Sequence, residues 1–167
     1  MSRASDFQPA AFQAVISIPT CKLGILIAGP AEAARVGSIV FLPPDTPERA
    51  PAHTLADQVI GQVTRYLDDP AAGFSLPLEP RGTAFQRRVW QAIAGIAKGS
   101  ISTYGELVRE AGGTARAVGQ ACGANPYPLV VPCHRVVSRS GLGGFAHSTD
   151  EWLLNTKRWL LHHEGVL

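Results

Sequence analysis

One short segment of this 167-residue chain has residue types suited to nucleophilic chemistry: Pro132-Cys133-His134-Arg135. The nucleophilic form of cysteine is the thiolate, and a free thiol has a pKa of about 8.5, so reactivity at neutral pH needs a base or a positive neighbour. His134 and Arg135 are the candidates. The apolar run from Leu129 to Val131 predicts a buried strand that delivers Cys133. Because a strand turns neighbouring side chains to opposite faces, His134 would need a bridging water or a tight turn to act on Cys133. A buried structural cysteine is the alternative.

A second distinctive segment, residues 103–123, has the form of a helix-turn-helix. Thr103 to Glu106 is a capping box that opens one helix, a Gly-Gly pair supplies the turn, and Thr114 can cap a second helix. Alanines and a glycine leave this second helix with a thin surface from which Arg116 projects. It could therefore approach a DNA groove closely. Ordinary helix packing with a solvated Arg116 is the alternative.

Charge is unevenly distributed, although the formal net charge is only +2. Residues 1–80 carry five Lys/Arg against eight Asp/Glu, and residues 81–139 carry eight against two, so the local balances are −3 and +6. A positive segment of this kind fits a polyanion such as DNA. A solvated basic face is the alternative.

The three cysteines, Cys21, Cys122 and Cys133, have no CxxC spacing. Neither a disulfide framework nor a cysteine zinc site is expected, and a reducing compartment is favoured. Residues 1–13 lack the continuous apolar core of a signal peptide, and the longest apolar stretches are too short to span a bilayer. The prediction is a cytoplasmic protein without membrane association.

The remaining pattern predicts an α+β fold. A small N-terminal strand/helix domain, residues 1–80, would precede a mostly helical domain, residues 81–167, that contains the helix-turn-helix. In the first domain, apolar residues at four-residue spacing over 54–67 predict a helix. In the second, Thr83 to Gln86 is a capping box that opens a helix expected to close at Lys98-Gly99-Ser100. The predicted strands are residues 14–18, 22–28 and 36–42. The first domain has no catalytic cluster and is interpreted as structural.

The string Pro132-Cys133-His134-Arg135-Val136 closely resembles the active-site signature of the O6-alkylguanine-DNA alkyltransferases, also called methylated-DNA-protein-cysteine methyltransferases. The resemblance is strong over residues 83–167 and loose over residues 1–82. It implies a ribonuclease-H-like N-terminal domain. Four further segments resemble the first motif helix, the recognition helix, the hinge and the C-terminal helix of that family: Ser102-Thr103-Tyr104, Arg116-Ala117-Val118-Gly119, Asn125-Pro126 and Lys157 to Gly165.

The resemblance implies roles for five catalytic residues. Cys133 would accept the alkyl group and become an S-alkylcysteine. His134 would act through a water as the base that deprotonates Cys133, and Glu164 would orient the imidazole. Tyr104 would offer its phenol to the departing guanine, and Asn125 would lock the hinge after the recognition helix.

The resemblance also implies DNA-binding and substrate-pocket residues. Arg116 would fill the gap left in the base stack when the damaged base is flipped out. The other residues expected at the DNA are Thr103, Tyr104, Ala115, Ala117, Gln120, Cys122 and Arg135. In the pocket, Pro128 and Phe145 would form apolar walls. The carbonyls of Cys133 and Val136 would accept from the guanine amine, and the amide of Ala146 would face O6.

The chain departs from the family pattern between Phe145 and Lys157, where it is several residues longer. Ser148 to Glu151 is a possible capping box, so the extra residues are expected to lengthen the final helix by about a turn. The departure affects the pocket wall after Phe145, and with it the tolerance for bulky alkyl groups. It leaves the nucleophile untouched.

The predicted function is direct-reversal DNA repair. A monomer would bind duplex DNA containing O6-alkylguanine through the minor groove and flip the base. It would transfer the alkyl group irreversibly to Cys133, once per molecule, with O4-methylthymine as a second possible substrate. No cofactor and no metal are expected. Two alternatives stay open: a non-catalytic binder of alkylated DNA, which would lack the acceptor thiol, and a thiol hydrolase, which would leave the helix-turn-helix unexplained.

Overall fold

The structure is a computed structural model that describes residues 12–167. The chain divides into two compact units, the first ending at Pro80 and the second beginning at Arg81. The interpretation that no signal peptide is present depends on residues 1–13, of which residues 1–11 lie outside the described part. Within residues 12–167, no helix has the length and apolar character needed to cross a bilayer.

The first unit is a three-stranded antiparallel sheet with one helix. The strands follow one another in the order β1-β2-β3. Their apolar residues close a core with helix α1, in which Val59 and Val63 are fully buried at the predicted four-residue spacing. The predicted strands and helix are confirmed to within one residue. The elements are β1 Ala14–Ile18, β2 Cys21–Ala28, β3 Arg35–Leu42 and α1 Thr54–Asp68.

The second unit is mostly helical, as the α+β prediction requires. Strands β4 and β5 are only two residues long each and pair in parallel. The elements are α2 Ala84–Ala94, β4 Ser102–Thr103, α3 Tyr104–Ala111, α4 Ala115–Gly123, β5 Val136–Val137 and α5 Glu151–His163.

Side-chain caps set the starts of three helices in the second unit. The capping boxes at Thr83/Gln86 and Thr103/Glu106 are both complete. In each box the threonine hydroxyl accepts from the backbone amide three residues later, and the Gln86 or Glu106 side chain accepts from the threonine amide. The Thr114 hydroxyl accepts from the Ala117 amide at the start of α4. These three predicted caps are confirmed. Helices α3 and α4 are short and are joined by a Gly-Gly turn.

Helix α2 ends earlier than predicted. The expected end was Lys98-Gly99-Ser100, but the helix stops at Ala94, and Gly95 follows as the cap. The Gly95 amide still donates to the carbonyls of Gln91 and Ala92, so the last turn tightens and the chain then leaves the helix. Glycine is a poor helix former because it loses the most backbone entropy on folding, which explains the early stop.

The strand predicted before Cys133 is absent, which corrects the expectation for Leu129 to Val131. Leu129 has a φ of 74°, and the Val131 amide donates to the Tyr127 carbonyl across a tight turn. Prolines at positions 126, 128 and 132 supply no amide hydrogens, so this stretch cannot form a regular ladder. Cys133 instead begins a short 3-10 helix, Cys133–Arg135.

The capping box predicted at Ser148 to Glu151 is also wrong. Asp150 is the N-cap of α5 and makes no side-chain cap bond. The Ser148 hydroxyl instead accepts from the Asp150 amide at 3.0 Å. The residues just after Phe145 therefore form a turn that lies before the final helix.

The α3–α4 turn gives a test of local stability. Gly113 has a φ of +76°, and a Cβ there would lie 2.8 Å from a ring carbon of Phe85. We expect Gly113→Ala to lower the free energy of unfolding by about 1–2 kcal/mol from backbone strain alone. At Gly119, within α4, a Cβ would meet no atom within 4 Å other than its chain neighbours and the backbone of its own helix. Gly119→Ala should therefore raise the free energy of unfolding by about 0.5–1 kcal/mol.

Urea unfolding followed by tryptophan fluorescence measures both variants. The three tryptophans, Trp90, Trp152 and Trp159, all lie in the second unit, so their signal reports on that unit. If Gly113→Ala left the free energy of unfolding unchanged, this would contradict the tight packing of the turn.

Candidate active site

Cys133 lies at the start of the 3-10 helix and is 8% exposed. Its amide donates to the Val131 carbonyl at 2.8 Å, which fixes the backbone at the nucleophile. Burial raises the pKa of the Cys133 thiol, and a hydrogen bond from Asn125 and the nearby charge of Lys157 partly oppose that rise. The resting group is therefore a thiol, and it needs a base to become a nucleophile.

Asn125 links the end of α4 to the segment before Cys133. Its Nδ2 donates to the Val131 carbonyl at 2.7 Å, and its Oδ1 accepts from the Tyr127 amide at 2.9 Å. The same Val131 carbonyl receives the amide of Cys133. The predicted hinge residue thus bonds directly to the backbone that positions the thiol.

His134 and Glu164 form a buried pair. His134 is 1% exposed, and its Nε2 lies 2.8 Å from Glu164 Oε2. Because a carboxylate only accepts, His134 Nε2 carries the hydrogen, and Nδ1 is then the acceptor in the neutral ring. Nδ1 is buried and has no hydrogen-bond partner within the described part of the chain. Its lone pair is thus available for a proton.

Burial lowers the pKa of His134, although Glu164 acts in the opposite direction. The imidazole is therefore neutral at pH 7. A neutral, buried imidazole with a free Nδ1 is able to act as a general base.

The Arg135 side chain points to the buried Glu164, although it was expected at the DNA. Its Nε donates to Glu164 Oε1 at 2.7 Å and one terminal nitrogen donates to Oε2 at 3.2 Å, while the other donates to the Ile96 carbonyl at 2.7 Å. This guanidinium compensates a buried carboxylate. DNA binding by Arg135 stays a prediction, and within this structure the Arg135 guanidinium is occupied by Glu164 and the Ile96 carbonyl.

Lys157 was predicted only as part of a family-like helix, and its place in the site was missed. It is fully buried, and its Nζ donates to the carbonyls of Val136 at 2.7 Å and Gly144 at 2.9 Å. Burial lowers its pKa to about 8. A signal existed in the sequence, because Lys157 lies on the same helical stripe as the buried Leu153 and Leu160, where a solvated lysine would not be expected.

A cavity of about 180 Å³ opens beside Cys133. Tyr104, the first residue of α3, is half-buried in its wall. Burial, together with the thiols of Cys122 and Cys133, raises the pKa of Tyr104 to about 12. The phenol therefore keeps its hydrogen at neutral pH and can donate it to a bound group.

Cys122 lines this cavity, and its expected place at the DNA stays a prediction. It is buried on α4, and burial raises the pKa of its thiol to about 12. Such a thiol stays protonated and acts here as a small wall residue.

The predicted pocket residues are only partly brought together. Phe145 and Ala146 line the cavity with Cys133, whereas Pro128 is buried and is absent from the cavity wall. The Cys133 carbonyl accepts from the Val136 amide, and the Val136 carbonyl accepts from Lys157. Each carbonyl retains a second lone pair, so a guanine amine could still bind.

The predicted DNA-binding residues of α4 lie largely on its exposed side. Arg116, Ala115 and Gln120 are exposed, and Ala117 is half-buried. The hydroxyl and amide of Thr103 are both used in its capping box.

No group of His, Cys, Asp and Glu side chains among residues 12–167 is arranged to hold a metal ion.

Comparison with known proteins finds sequence relatives of the second unit. The profile of the family described as "6-O-methylguanine DNA methyltransferase, DNA binding domain" matches residues 84–166. The methylated-DNA--protein-cysteine methyltransferase of Salmonella typhimurium is 52% identical over 89 residues, which cover 52% of this chain and 49% of that protein. That of Mycobacterium bovis is 42% identical over 108 residues, 63% of this chain and 62% of that protein. The chain thus spans about half the length of the first curated relatives.

Solved structures of related proteins resemble this chain in fold over most of its length, including both units. A crystal structure of Mycobacterium tuberculosis O6-methylguanine methyltransferase is 33% identical, with a TM-score of 0.71 and 90% of each chain covered. A structure of the Mycobacterium tuberculosis OGT in complex with DNA is 34% identical, with a TM-score of 0.71 and the same coverage. Because these likenesses join sequence identity to a shared fold over nearly the whole length, the chain belongs to the O6-methylguanine DNA methyltransferase family.

Proposed function

We propose that this protein repairs alkylated DNA by moving an alkyl group from O6 of guanine to the thiol of Cys133. The observation that carries the proposal is the buried set of Cys133, His134 and Glu164, in which one imidazole nitrogen is held by the carboxylate and the other has no partner among the described residues. The names of the related methyltransferases and the DNA complex of one relative support the same reaction.

The first step is activation of the thiol. Cys133 rests protonated because burial raises its pKa, and His134 rests neutral because burial lowers its pKa. Transfer of the Sγ proton to His134 Nδ1, through one water, creates a thiolate and an imidazolium. Glu164 stabilises the imidazolium, and Lys157 and Asn125 stabilise the thiolate.

The second step is alkyl transfer. The Sγ electron pair attacks the alkyl carbon, so an S–C bond forms while the C–O6 bond breaks. The bonding pair of the broken bond goes to O6, and the negative charge spreads over the guanine ring. The phenol of Tyr104, which stays protonated up to a pKa of about 12, offers a hydrogen bond to that charge. The guanine takes up one proton at N1 from water, which balances the proton that Sγ gave to His134, and it remains in the DNA as the normal base.

The product on the protein is a thioether. No group in the site can displace an alkyl group from a neutral thioether, so each molecule would act once. The transfer needs no redox step or activated donor beyond the damaged base, and we therefore propose that no cofactor takes part.

DNA contact is assigned to α4. The exposed Arg116 would enter the duplex from the minor groove and fill the space left by a flipped base, which offsets part of the unstacking cost. We propose a monomer acting in the cytoplasm, where its three cysteines, none of which forms a disulfide, stay reduced, with residues 1–80 as a structural domain. O4-methylthymine is a second possible substrate.

Intact-protein mass tests the reaction directly. After incubation with duplex DNA that contains one O6-methylguanine, the wild type should gain roughly 14 Da, the mass of one methylene, on Cys133. Cys133→Ala should gain nothing, because it lacks the acceptor atom. If both proteins bind the modified duplex and neither gains mass, the chain is a lesion-binding protein. Continuous turnover of ester or amide substrates would instead indicate a thiol hydrolase.

The pH dependence of single-turnover methyl transfer tests the base. The wild-type rate should fall only below the ordinary His pKa of 6.5, because the folded value is lower and the neutral base persists down to it. At neutral pH we expect His134→Gln to be slower by about 10²–10⁴-fold. Its rate should recover as pH rises toward the pKa of Cys133, because solvent can then remove the proton. A variant with the wild-type rate at neutral pH would exclude His134 as the base.

Arg116→Ala separates base flipping from chemistry. We expect this variant to lose transfer from O6-methylguanine in duplex DNA much more than reaction with free O6-benzylguanine, because the free base needs no extrusion. Rate constants for both substrates, measured by the mass assay, give the comparison. Equal losses on the two substrates would remove the flipping role from Arg116.

A further inference from the structure

Cys122 is a thiol of the cavity that alkyl transfer does not use. It lies in the last turn of α4, whereas Cys133 begins the 3-10 helix that follows the proline-rich turn. Both side chains are 8% exposed, and both line the same cavity of about 180 Å³. Two buried thiols from different helices therefore border one small space.

The two thiols also share their electrostatic neighbours. Burial raises the pKa of both, Cys133 raises that of Cys122 further, and the positive Lys157 opposes both rises. Burial likewise raises the pKa of Tyr104, and each of the two thiols adds to that rise. Because Coulomb interactions weaken with distance, groups that act on one another and on the same ammonium and phenol lie close together. The shared cavity and these shared neighbours place the two sulfur atoms near each other.

The cavity is open to small solutes at its rim. Gly144, Ala146 and His147 line it and are exposed. The His147 ring lies against Gly123, where a Cβ would be 2.4 Å from Nδ1, so this open rim adjoins the end of α4 that carries Cys122. A molecule as small as a peroxide can therefore reach the space between the thiols.

We propose that Cys122 and Cys133 form a redox pair, in which Cys122 captures an oxidised Cys133 as a disulfide. A cysteine sulfenic acid that has a thiol beside it condenses to a disulfide, which reductants reverse, whereas one without such a partner oxidises further to a sulfinic acid, which they do not. The pair would thus keep Cys133 recoverable. The benefit rests on the proposed function, because a protein that acts once cannot replace its acceptor thiol.

The oxidant is a hydroperoxide such as hydrogen peroxide. The Cys133 thiolate attacks one peroxide oxygen, so an S–O bond forms and the O–O bond breaks. The departing hydroxide takes up the proton that Sγ had lost. Cys122 Sγ then attacks the sulfur of the sulfenic acid, so an S–S bond forms and the S–O bond breaks, and the hydroxide leaves as water with the Cys122 proton. Two thiols and one peroxide give one disulfide and two waters, and a dithiol restores both thiols by exchange.

The two thiols differ in how they would react. A pKa of about 12 keeps Cys122 protonated, so peroxide in solution attacks it slowly. Cys133 has His134 as a candidate base next to it in the chain. Once Cys133 is oxidised, the position of Cys122 in the same cavity favours the second step, because a reaction between groups held together avoids the entropy cost of an encounter.

Peptide mass tests the pair in the full-length protein. After brief treatment with hydrogen peroxide at neutral pH, the remaining thiols are alkylated with iodoacetamide in denaturant, and the chain is digested with trypsin. No Lys or Arg lies between Arg116 and Arg135, so Cys122 and Cys133 fall in one peptide, residues 117–135. We expect this peptide to lose about 2 Da, the mass of two hydrogens, and to escape alkylation. A peptide in which Cys122 is still alkylated, whether or not Cys133 carries added oxygen, would overturn the inference.

Two matched substitutions separate the pair from general thiol oxidation. Cys122→Ala removes the capturing thiol, and Cys21→Ala removes a buried cysteine of the first unit. After peroxide, Cys133 in the Cys122→Ala protein should gain about 32 Da, the mass of two oxygens, and a dithiol should not reverse this gain. Cys21→Ala should form the disulfide as the wild type does. If Cys122→Ala is unstable, Cys122→Ser keeps the size of the side chain and repeats the test.

Recovery of methyl transfer measures the benefit of the pair. Each protein is compared with its own untreated rate constant on duplex DNA containing O6-methylguanine, first after peroxide and then after dithiothreitol. The wild type and Cys21→Ala should lose transfer and then regain most of it, whereas Cys122→Ala should regain little. Equal recovery in Cys122→Ala and the wild type would overturn the inference. Absence of transfer in the untreated wild type would reject the proposed function, and the peptide mass would still decide whether the pair forms.

Discussion

The Glu164 carboxylate is the group on which the site depends. It is buried directly after α5, so its charge has to be compensated within the protein. His134 and Arg135 supply the partners from one 3-10 helix, and Arg135 also donates to the Ile96 carbonyl. Removing a partner from a buried ion pair costs about 3–5 kcal/mol. This requirement fixes the helix that carries Cys133 in place, and it also fixes the hydrogen of His134 on Nε2.

Burial makes each reactive group of the site favour its neutral form. It raises the pKa of Cys133 and lowers the pKa values of His134 and Lys157. Proton transfer from Cys133 to His134 would create two charges at once, and each has an opposite charge nearby. The positive Lys157 lies near the thiol, and Glu164 lies on the imidazole. Under the proposed mechanism, the charge pair that forms during reaction has an opposite charge beside each of its members.

The part of the pocket that differs from the family pattern is separate from the part that activates the thiol. The Cys133 amide and the Asn125 side chain both donate to the Val131 carbonyl, so the backbone at the nucleophile is held from its upstream side. The extra residues lie downstream, in the turn that carries His147 and ends before α5. A change in this turn can alter the space beside the thiol without moving the base.

The local pattern of the sequence by itself determined most of the secondary structure, because side-chain caps such as Thr103 with Glu106 and four-residue apolar spacing act between near neighbours. The Cys-His string and its resemblance also singled out Cys133, His134 and Glu164, and the structure pairs His134 with Glu164 and buries Cys133. The strand predicted from Leu129 to Val131 was wrong because this apolar run lies in a proline-rich turn, where Leu129 is buried and the two valines are half-buried. An apolar run alone does not distinguish such a turn from a strand. Only tertiary structure decided that Arg135 faces inward to Glu164, that Lys157 is buried beside the thiol and that His147 lies on Gly123. Those placements depend on contacts between residues far apart in the chain, and no local pattern encodes them.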